Sequence, residues 1–320
     1  MYKVEKKSKI YIAGASGMVG SGLWSYLLDK GYKNLLNDSK NLDLVNQEDV
    51  RLFFEREMPD VVILLAGKVG GIQANSTKQA EFIYENLMIE ANVIHTAYLF
   101  GVKKLIFISS SSVYPSNCDQ PIPESQLLSG FLEKTNEPYS IAKIAGIKLC
   151  EYYYYTYGVD FYTMIPCNLY GPKDHFNDVS SHVIPALMYK FHLAKIEEKK
   201  SVQVWGSGKP KREFLFSNDL SRAIHTLLTS IEAKDIYNRS IPAINTGSGH
   251  EVSIEELALL MADIVGYNGS IVFDSTKPDG VKRKLLDNSV VNSLGWRSKT
   301  TIRDGLMETY KWFLENKYNK

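Results

Sequence analysis

The stretch Lys9-Ile10-Tyr11-Ile12-Ala13-Gly14-Ala15-Ser16-Gly17-Met18-Val19-Gly20 decides the fold. Lys9 to Ala13 reads as a short apolar strand. It runs into glycines at positions 14, 17 and 20, then into an amphipathic helix to about Lys30, with Gly31 as its stop. Strand, glycine turn and helix together form a dinucleotide fingerprint. The glycines let backbone N–H groups approach a pyrophosphate at the helix N-terminus, where the helix dipole favours negative charge. Glycine-rich turns are common, so the position of this one after the first strand carries the reading. Gly14, Ser16, Gly17, Met18, Val19 and Gly20 are the candidate pyrophosphate contacts.

Outward from that turn, strands and helices alternate. Leu35-Leu36 ends a second strand. An acidic residue just beyond it would bond a ribose 2′-OH, and a cation would take a 2′-phosphate. The chain offers both, Asp38 and then Ser39-Lys40. Asp43 and Leu44 follow in a loop of the kind that covers an adenine. Asn46 to about Glu57 reads as a helix. Val61 to Ala66 is a fully apolar parallel strand that ends in Gly67-Lys68, so Ala66, Gly67 and Lys68 join the cofactor candidates. A long helix spans roughly Thr77 to Phe100. Lys104 to Ile108 is the next strand and delivers the serines 109 to 112 at its carboxyl end, the edge where open α/β sheets bind ligands. Pro138-Tyr139 opens a helix, and Phe161 to Ile165 is a further strand. This alternation predicts a doubly wound parallel sheet of the α/β class.

Beyond Pro172 the pattern loosens. Val202 to Trp205 reads as a short strand, and Lys209 to Arg212 as a basic cluster that suits phosphates or a solvated turn equally. Ser253-Ile254-Glu255-Glu256 is a capping box whose helix stops at Gly266, and a last helix runs from about Ile302 to Leu314. The expected division is a dinucleotide-binding domain over 1–172, rejoined by about 214–247, interleaved with a smaller substrate domain over 173–320.

Size and charge exclude some classes. At 320 residues the chain can bury a large core, and its net charge of +1 gives no argument for nucleic acid or an anionic membrane. No apolar run is long enough to span a bilayer, and no signal peptide is evident. The three cysteines, Cys118, Cys150 and Cys167, lack metal-ligand spacing and are odd in number, which points to a reducing, cytoplasmic setting and to no metal. The run Tyr152 to Tyr155 reads as partly buried helix surface.

The chemistry centres on Tyr139 and Lys143. Four residues apart on a helix, they share a face. An ammonium beside a phenol favours the phenolate and would draw its pKa down from about 10. A tyrosine so placed can pass a proton to or from a substrate oxygen. A lone Y-x-x-x-K is usually an exposed helical pair. The glycine turn and the serine cluster change that reading.

Together these stretches resemble the extended short-chain dehydrogenase/reductases, and more narrowly the GDP-L-fucose synthase family. The resemblance covers nearly the whole chain. It is carried by GASGMVGS (14–21), AGKVGGIQANS (66–76), TNEPYSIAKIAGIKLCE (135–151), NLYGP (168–172), SHVIPAL (181–187), VWGSGKPKREFL (204–215) and FDSTKPDGVKRKLLD (273–287). It implies binding of NADPH and a GDP-linked 4-keto-6-deoxy sugar, supplied by a dehydratase and, where needed, a separate epimerase. It also implies a homodimer paired through the long helix and the Tyr139 helix. By position, Ser110, Tyr139 and Lys143 become a reductase triad, and His182 matches an acid used in epimerisation. Ser111, Ser112, Asn168, Val183, Trp205, Arg212 and Lys277 fall in stretches that meet the sugar nucleotide. Some relatives hold the 2′-phosphate with arginines. Here Ser16 and Ser39-Lys40 stand in those places, so the resemblance favours NADPH while Asp38 keeps NADH open.

One departure matters most. Bifunctional members carry S-S-C-x-Y-P, whose cysteine removes protons at C3 and C5. Here Ser110-Ser111-Ser112-Val113-Tyr114-Pro115 puts Ser112 in the cysteine's place. A thiol ionises near pH 8.5, and an alkanol hydroxyl is several units weaker as an acid. The expectation is keto reduction without efficient epimerisation. Three rivals stand beside it. A full epimerase/reductase needs another base. A 4,6-dehydratase needs an acidic residue beside the catalytic serine, and this chain has none there. A nucleotide sensor on the same fold would typically lose the Tyr/Lys pair, which this chain keeps. The sugar itself, hexose or heptose, is left open.

Overall fold

Ile10–Ala13 forms β1, buried at all four positions, and the main sheet is built outward from it. Burial on both faces requires apolar residues throughout, which suits a parallel strand covered by helices on each side. The computed structural model describes residues 2–38, 42–177, 181–277 and 279–318. In chain order β1 is followed by α1 (Met18–Asp29), β2 (Leu35–Leu36), α2 (Gln47–Glu57), β3 (Val61–Leu64), α3 (Ile72–Thr77), α4 (Gln79–Leu99), β4 (Lys104–Ile108), α5 (Glu137–Tyr157) and β5 (Phe161–Pro166). Next come β6 (Asn168–Tyr170), α6 (Val183–Ile196), β7 (Ser201–Trp205), β8 (Lys211–Phe216), α7 (Ser217–Ser230) and α8 (Ala233–Tyr237). The chain closes with β9 (Ile244–Thr246), β10 (Glu251–Ser253), α9 (Ile254–Val265), β11 (Ser270–Asp274), β12 (Arg283–Lys284), α10 (Ser289–Ser293) and α11 (Ile302–Phe313).

The main sheet is parallel, in the order β2-β1-β3-β4-β5-β9. The expected α/β doubly wound architecture is therefore present. Local chemistry sets its boundaries. Asn46 caps α2 by accepting the Glu48 and Asp49 N–H groups at 3.0 and 3.4 Å, and both acidic residues sit in the first turn, where the dipole favours them. Pro138 lies in the first turn of α5, and Gly158, at φ 68°, ends it. A smaller sheet joins β10, β8 and β12, with β6 paired to β8, and a third pairs β11 with β7. Two apolar cores follow, one under the main sheet and one among α6, β7, β8, α9 and α11.

Two buried polar residues tie the pieces together. Asn245 of β9 accepts the Tyr114 hydroxyl at 2.6 Å and donates to the Ile122 and Asp287 carbonyls. Glu213 of β8 accepts N–H groups from Gly249 at 2.7 Å and Leu286 at 3.0 Å, and the Asn288 amide at 3.3 Å. Removing a group that satisfies several buried donors strands each of them, at about 1–3 kcal/mol apiece. Among the described residues, no helix is long and apolar enough to cross a membrane, and no cluster could hold a metal ion.

Candidate active site

Strand order reverses at β1, with β2 on one side and β3 on the other, which leaves a crevice outside their carboxyl ends. Two glycine positions shape it. At Gly14 φ is +87°, and a Cβ there would lie 2.9 Å from the Ala66 nitrogen. A Cβ on Gly20 would meet the Gly14 carbonyl oxygen at 2.1 Å. Only glycine lets α1 start this close to the strand end. Gly17 is the N-cap and supplies no side-chain cap, so the first N–H groups of α1 remain for water or a ligand. A diphosphate fits that donor set.

Beside the turn, Ser16, Trp24, Asn37, Asp38 and Lys173 are among the residues lining a cavity of about 270 Å³. Asp38 is already engaged there. Its Oδ1 accepts the Tyr11 hydroxyl at 2.6 Å and its Oδ2 accepts the Gly14 N–H at 2.8 Å. It braces the glycine turn while it lines the cavity. Ser39 and Lys40, the sequence candidates for a 2′-phosphate, lie outside the described residues. Lys173, in the turn after β6, was not singled out in the sequence, because nothing local to it shows that the turn folds back toward Ser16.

The remaining cofactor candidates vary in availability. Asp43 accepts the Val45 N–H at 2.9 Å, and the Leu44 carbonyl accepts the Asn92 amide at 3.0 Å. Ala66 and Gly67 follow β3, and a Cβ on Gly67 would lie 3.4 Å from the Lys143 ammonium. Lys68 donates its backbone N–H to Asn86 at 2.9 Å, while its ammonium pairs with Glu85 on α4.

The candidate reacting groups converge from β4 and α5. Past β4, Ser110 caps a short 3₁₀ turn over Ser111–Val113. Ser110 Oγ accepts the Ser112 N–H at 3.3 Å and the Ser112 hydroxyl at 3.2 Å. Ser111 is buried. Ser140 donates to the Ser112 carbonyl at 3.0 Å, which fastens α5 to this turn. The neighbouring Tyr139 phenol lies close enough to Ser110 for the serine to lower its pKa. One turn on, Lys143 is buried with its Nζ 5.7 Å from the Tyr139 ring centre.

The Tyr139 pKa departs from the sequence expectation. Burial pushes the phenol above its ordinary value, more strongly than Lys143 lowers it. Glu90 pushes it up further, and Ser110 pulls it down. The sequence showed the lysine but not the buried carboxylate that answers its charge. The phenol therefore stays protonated, the form that can donate.

His182 is the N-cap residue of α6, and Val183 is the first residue of that helix. His182 is exposed, and the desolvation it meets there holds the imidazole pKa below its ordinary value. No hydrogen bond joins its side chain to the triad among the described residues. Asn168 donates to the Glu213 carbonyl at 3.2 Å. Trp205 is exposed at the end of β7, with the Lys277 Nζ 5.5 Å from its ring centre. Arg212 is paired in register with Lys284 across β8 and β12. Lys284 was not among the sequence candidates. Burial, and then Arg212, lower its pKa to about 8. Two adjacent desolvated cations suit an anionic ligand, and the sequence signal was the basic run 282–284.

Comparison with known proteins agrees with this arrangement. Residues 10–239 match the NAD dependent epimerase/dehydratase family. The chain is 51% identical over 320 residues to an Arabidopsis thaliana protein named putative GDP-L-fucose synthase 2, covering 100% of this chain and 95% of that one. It is 40% identical to a Campylobacter jejuni protein described as a GDP-6-OMe-4-keto-L-xylo-heptose reductase, with a TM-score of 0.93 and coverage of 98% and 99%. A second Campylobacter jejuni structure, described as the GDP-mannoheptose C4 reductase MlghC with NADP bound, is 41% identical, with a TM-score of 0.89 and coverage of 97% and 99%. The chain belongs to the NAD-dependent epimerase/dehydratase family, among the GDP-L-fucose synthases and related GDP-sugar synthases and reductases, and is an oxidoreductase of that kind.

Proposed function

We propose that this protein is an NADPH-dependent C4-keto reductase of a GDP-4-keto-6-deoxy sugar, hexose or heptose, without efficient C3/C5 epimerisation. The observation that carries the reading is Ser112. It occupies the thiol position, and its hydroxyl donates to Ser110. Two relatives are named for keto or C4 reduction of GDP-heptoses, which favours the same class of reaction.

The nicotinamide, when bound, supplies the hydride. Tyr139 donates its proton to the sugar O4, and the Ser110 hydroxyl stabilises charge developing on that oxygen. Lys143 would hold the cofactor ribose, and its charge lowers the Tyr139 pKa. Arg212 and Lys284 lie where a diphosphate would relieve their desolvation. His182 and Asn168 would border the sugar, and Trp205 with Lys277 would flank the guanine end. Gly14 to Gly20 would cradle the cofactor diphosphate.

The test is NADPH oxidation with GDP-4-keto-6-deoxy sugars, before and after treatment with a separate C3/C5 epimerase. Turnover on either substrate supports keto reduction, no turnover on either sinks it, and exchange of C3 and C5 hydrogen with solvent when NADPH is omitted judges epimerisation. A cofactor arm goes with it. Lys173→Ala should weaken NADPH binding roughly tenfold, about 1.4 kcal/mol, and leave NADH binding nearly unchanged. Equal loss for both cofactors would remove Lys173 from the 2′-phosphate.

A second reading is the bifunctional GDP-L-fucose synthase, favoured by the 51% identity to a protein of that name. Solvent deuterium exchange separates the two. We also place the protein as a homodimer in the cytoplasm, with no membrane or nucleic-acid partner. Ile141, Tyr84, Tyr152 and Tyr155 are large apolar or aromatic residues left exposed on α4 and α5. Sedimentation at micromolar concentration should show the dimer, and a monomer would contradict it.

A further inference from the structure

Glu90, on α4, is a carboxylate that the mechanism above does not use. It is 1% exposed, and its Oε1 lies 3.1 Å from the Lys143 ammonium, itself 3% exposed. Apart from that ion pair, neither oxygen has a hydrogen-bond partner among the described residues. An isolated buried charge is costly, so a carboxylate so placed belongs with its lysine. The chain makes room for it. A Cβ on Gly146 of α5 would lie 2.6 Å from Glu90 Oε2 and 2.5 Å from the Phe107 ring. The ammonium is then confined. It sits 4.7 Å from the Phe107 ring centre and 3.4 Å from the Ile108 carbonyl, against the Gly67 turn.

We propose that Glu90 is a positioning residue for the reaction, holding the Lys143 ammonium behind Tyr139 and offsetting the positive charge that Tyr139 would otherwise feel. This rests on the reading of Tyr139 as the proton donor. Among the described residues, the titratable groups that interact with Glu90 are Lys143, Tyr139 and Cys150, all on α5. From β4 come the Phe107 ring and the Ile108 carbonyl around the ammonium. Desolvation raises the Glu90 pKa to about 7, against the pull of Lys143. Burial alone would lower the Lys143 pKa, but Glu90 and Tyr139 hold it above its ordinary value. Glu90 raises the Tyr139 pKa and Lys143 lowers it. Burial is the largest influence on the pH at which Tyr139 loses the proton that reduction needs, and the pair adjusts it from there.

The sign of the effect follows. Glu90→Gln keeps the shape and removes the negative charge. Lys143 is then unanswered, and the Tyr139 pKa should fall by about one unit. Reduction needs the phenol protonated, so the basic limb of kcat/KM should move to lower pH by the same amount. The KM for NADPH should rise several-fold, because the ammonium is less fixed. The Tyr139 titration itself is read without substrate, as the ultraviolet tyrosinate difference between each protein and its Tyr139→Phe counterpart. Glu90→Asp, which keeps the charge, should restore part of the wild-type profile.

A downward shift in both titrations supports the proposal. Lower activity or a lower melting temperature with both profiles unmoved would mean that Glu90 only packs, and would overturn it. Wild type inactive on every GDP-4-keto sugar would count against the proposed substrate, and the tyrosinate titration would still judge Glu90.

Discussion

Tyr139→Phe is expected to lower kcat for NADPH-dependent reduction by about two to four decades, while NADPH affinity stays within roughly twofold. The variant removes one oxygen and keeps the ring. Ser110 lies beside the phenol, and burial outweighs Lys143 in holding it protonated. A protonated, positioned acid is what a carbonyl needs as hydride arrives. Without it, the oxygen must take its proton from water, with only Ser110 to stabilise the developing charge. The loss should fall on kcat, because the interaction is made as the O–H bond breaks. Stopped-flow reduction with a preformed NADPH complex reads this step apart from binding. Near wild-type turnover in a folded Tyr139→Phe protein would remove Tyr139 from the chemistry.

Much of this site was legible from the chain alone, for a physical reason. Strands buried on both faces admit few residues, so Val61–Leu64 and Lys104–Ile108 stand out as apolar runs between turn signals. The Ser253 capping box and the Gly266 stop both appear in the structure, because cap chemistry is local. The smaller sheet was harder to read. Strands β6, β10 and β12 have two or three residues each, and their partners are chosen by distant packing, as with Arg212 against Lys284. Helix α7 opens on Ser217-Asn218-Asp219 and was not assigned a boundary from its sequence.

The charges that tune the site were the least legible. Glu90 looks like one more acid on a long helix, and its meaning appears only when α5 brings Lys143 within 3.1 Å. Asp38 suggested a ribose contact, and the fold also ties it to Tyr11 and Gly14. In both cases a long-range contact decides what a local reading leaves open.

The second large effect concerns Ser112, and it carries the proposed function. The C3 and C5 hydrogens beside a 4-keto group are acidic, but removing them still requires a base within reach. Ser112 offers an alkanol hydroxyl that is already donating to Ser110 at 3.2 Å. No histidine is hydrogen-bonded to it among the described residues. Desolvation lowers the His182 pKa, which makes the acidic imidazolium form scarcer at working pH. Ser112→Cys supplies a group whose ordinary pKa of about 8.5 brings a thiolate within reach of working pH. The variant should exchange substrate hydrogen with solvent, where wild type exchanges little.

The direct measurement is deuterium incorporation at C3 and C5 of a GDP-4-keto-6-deoxy sugar in D2O, with NADPH omitted, for wild type, Ser112→Cys and His182→Ala. The account predicts little exchange by wild type and clearly more by Ser112→Cys. Rapid exchange by wild type, abolished in His182→Ala, would contradict it and make the protein a bifunctional epimerase/reductase.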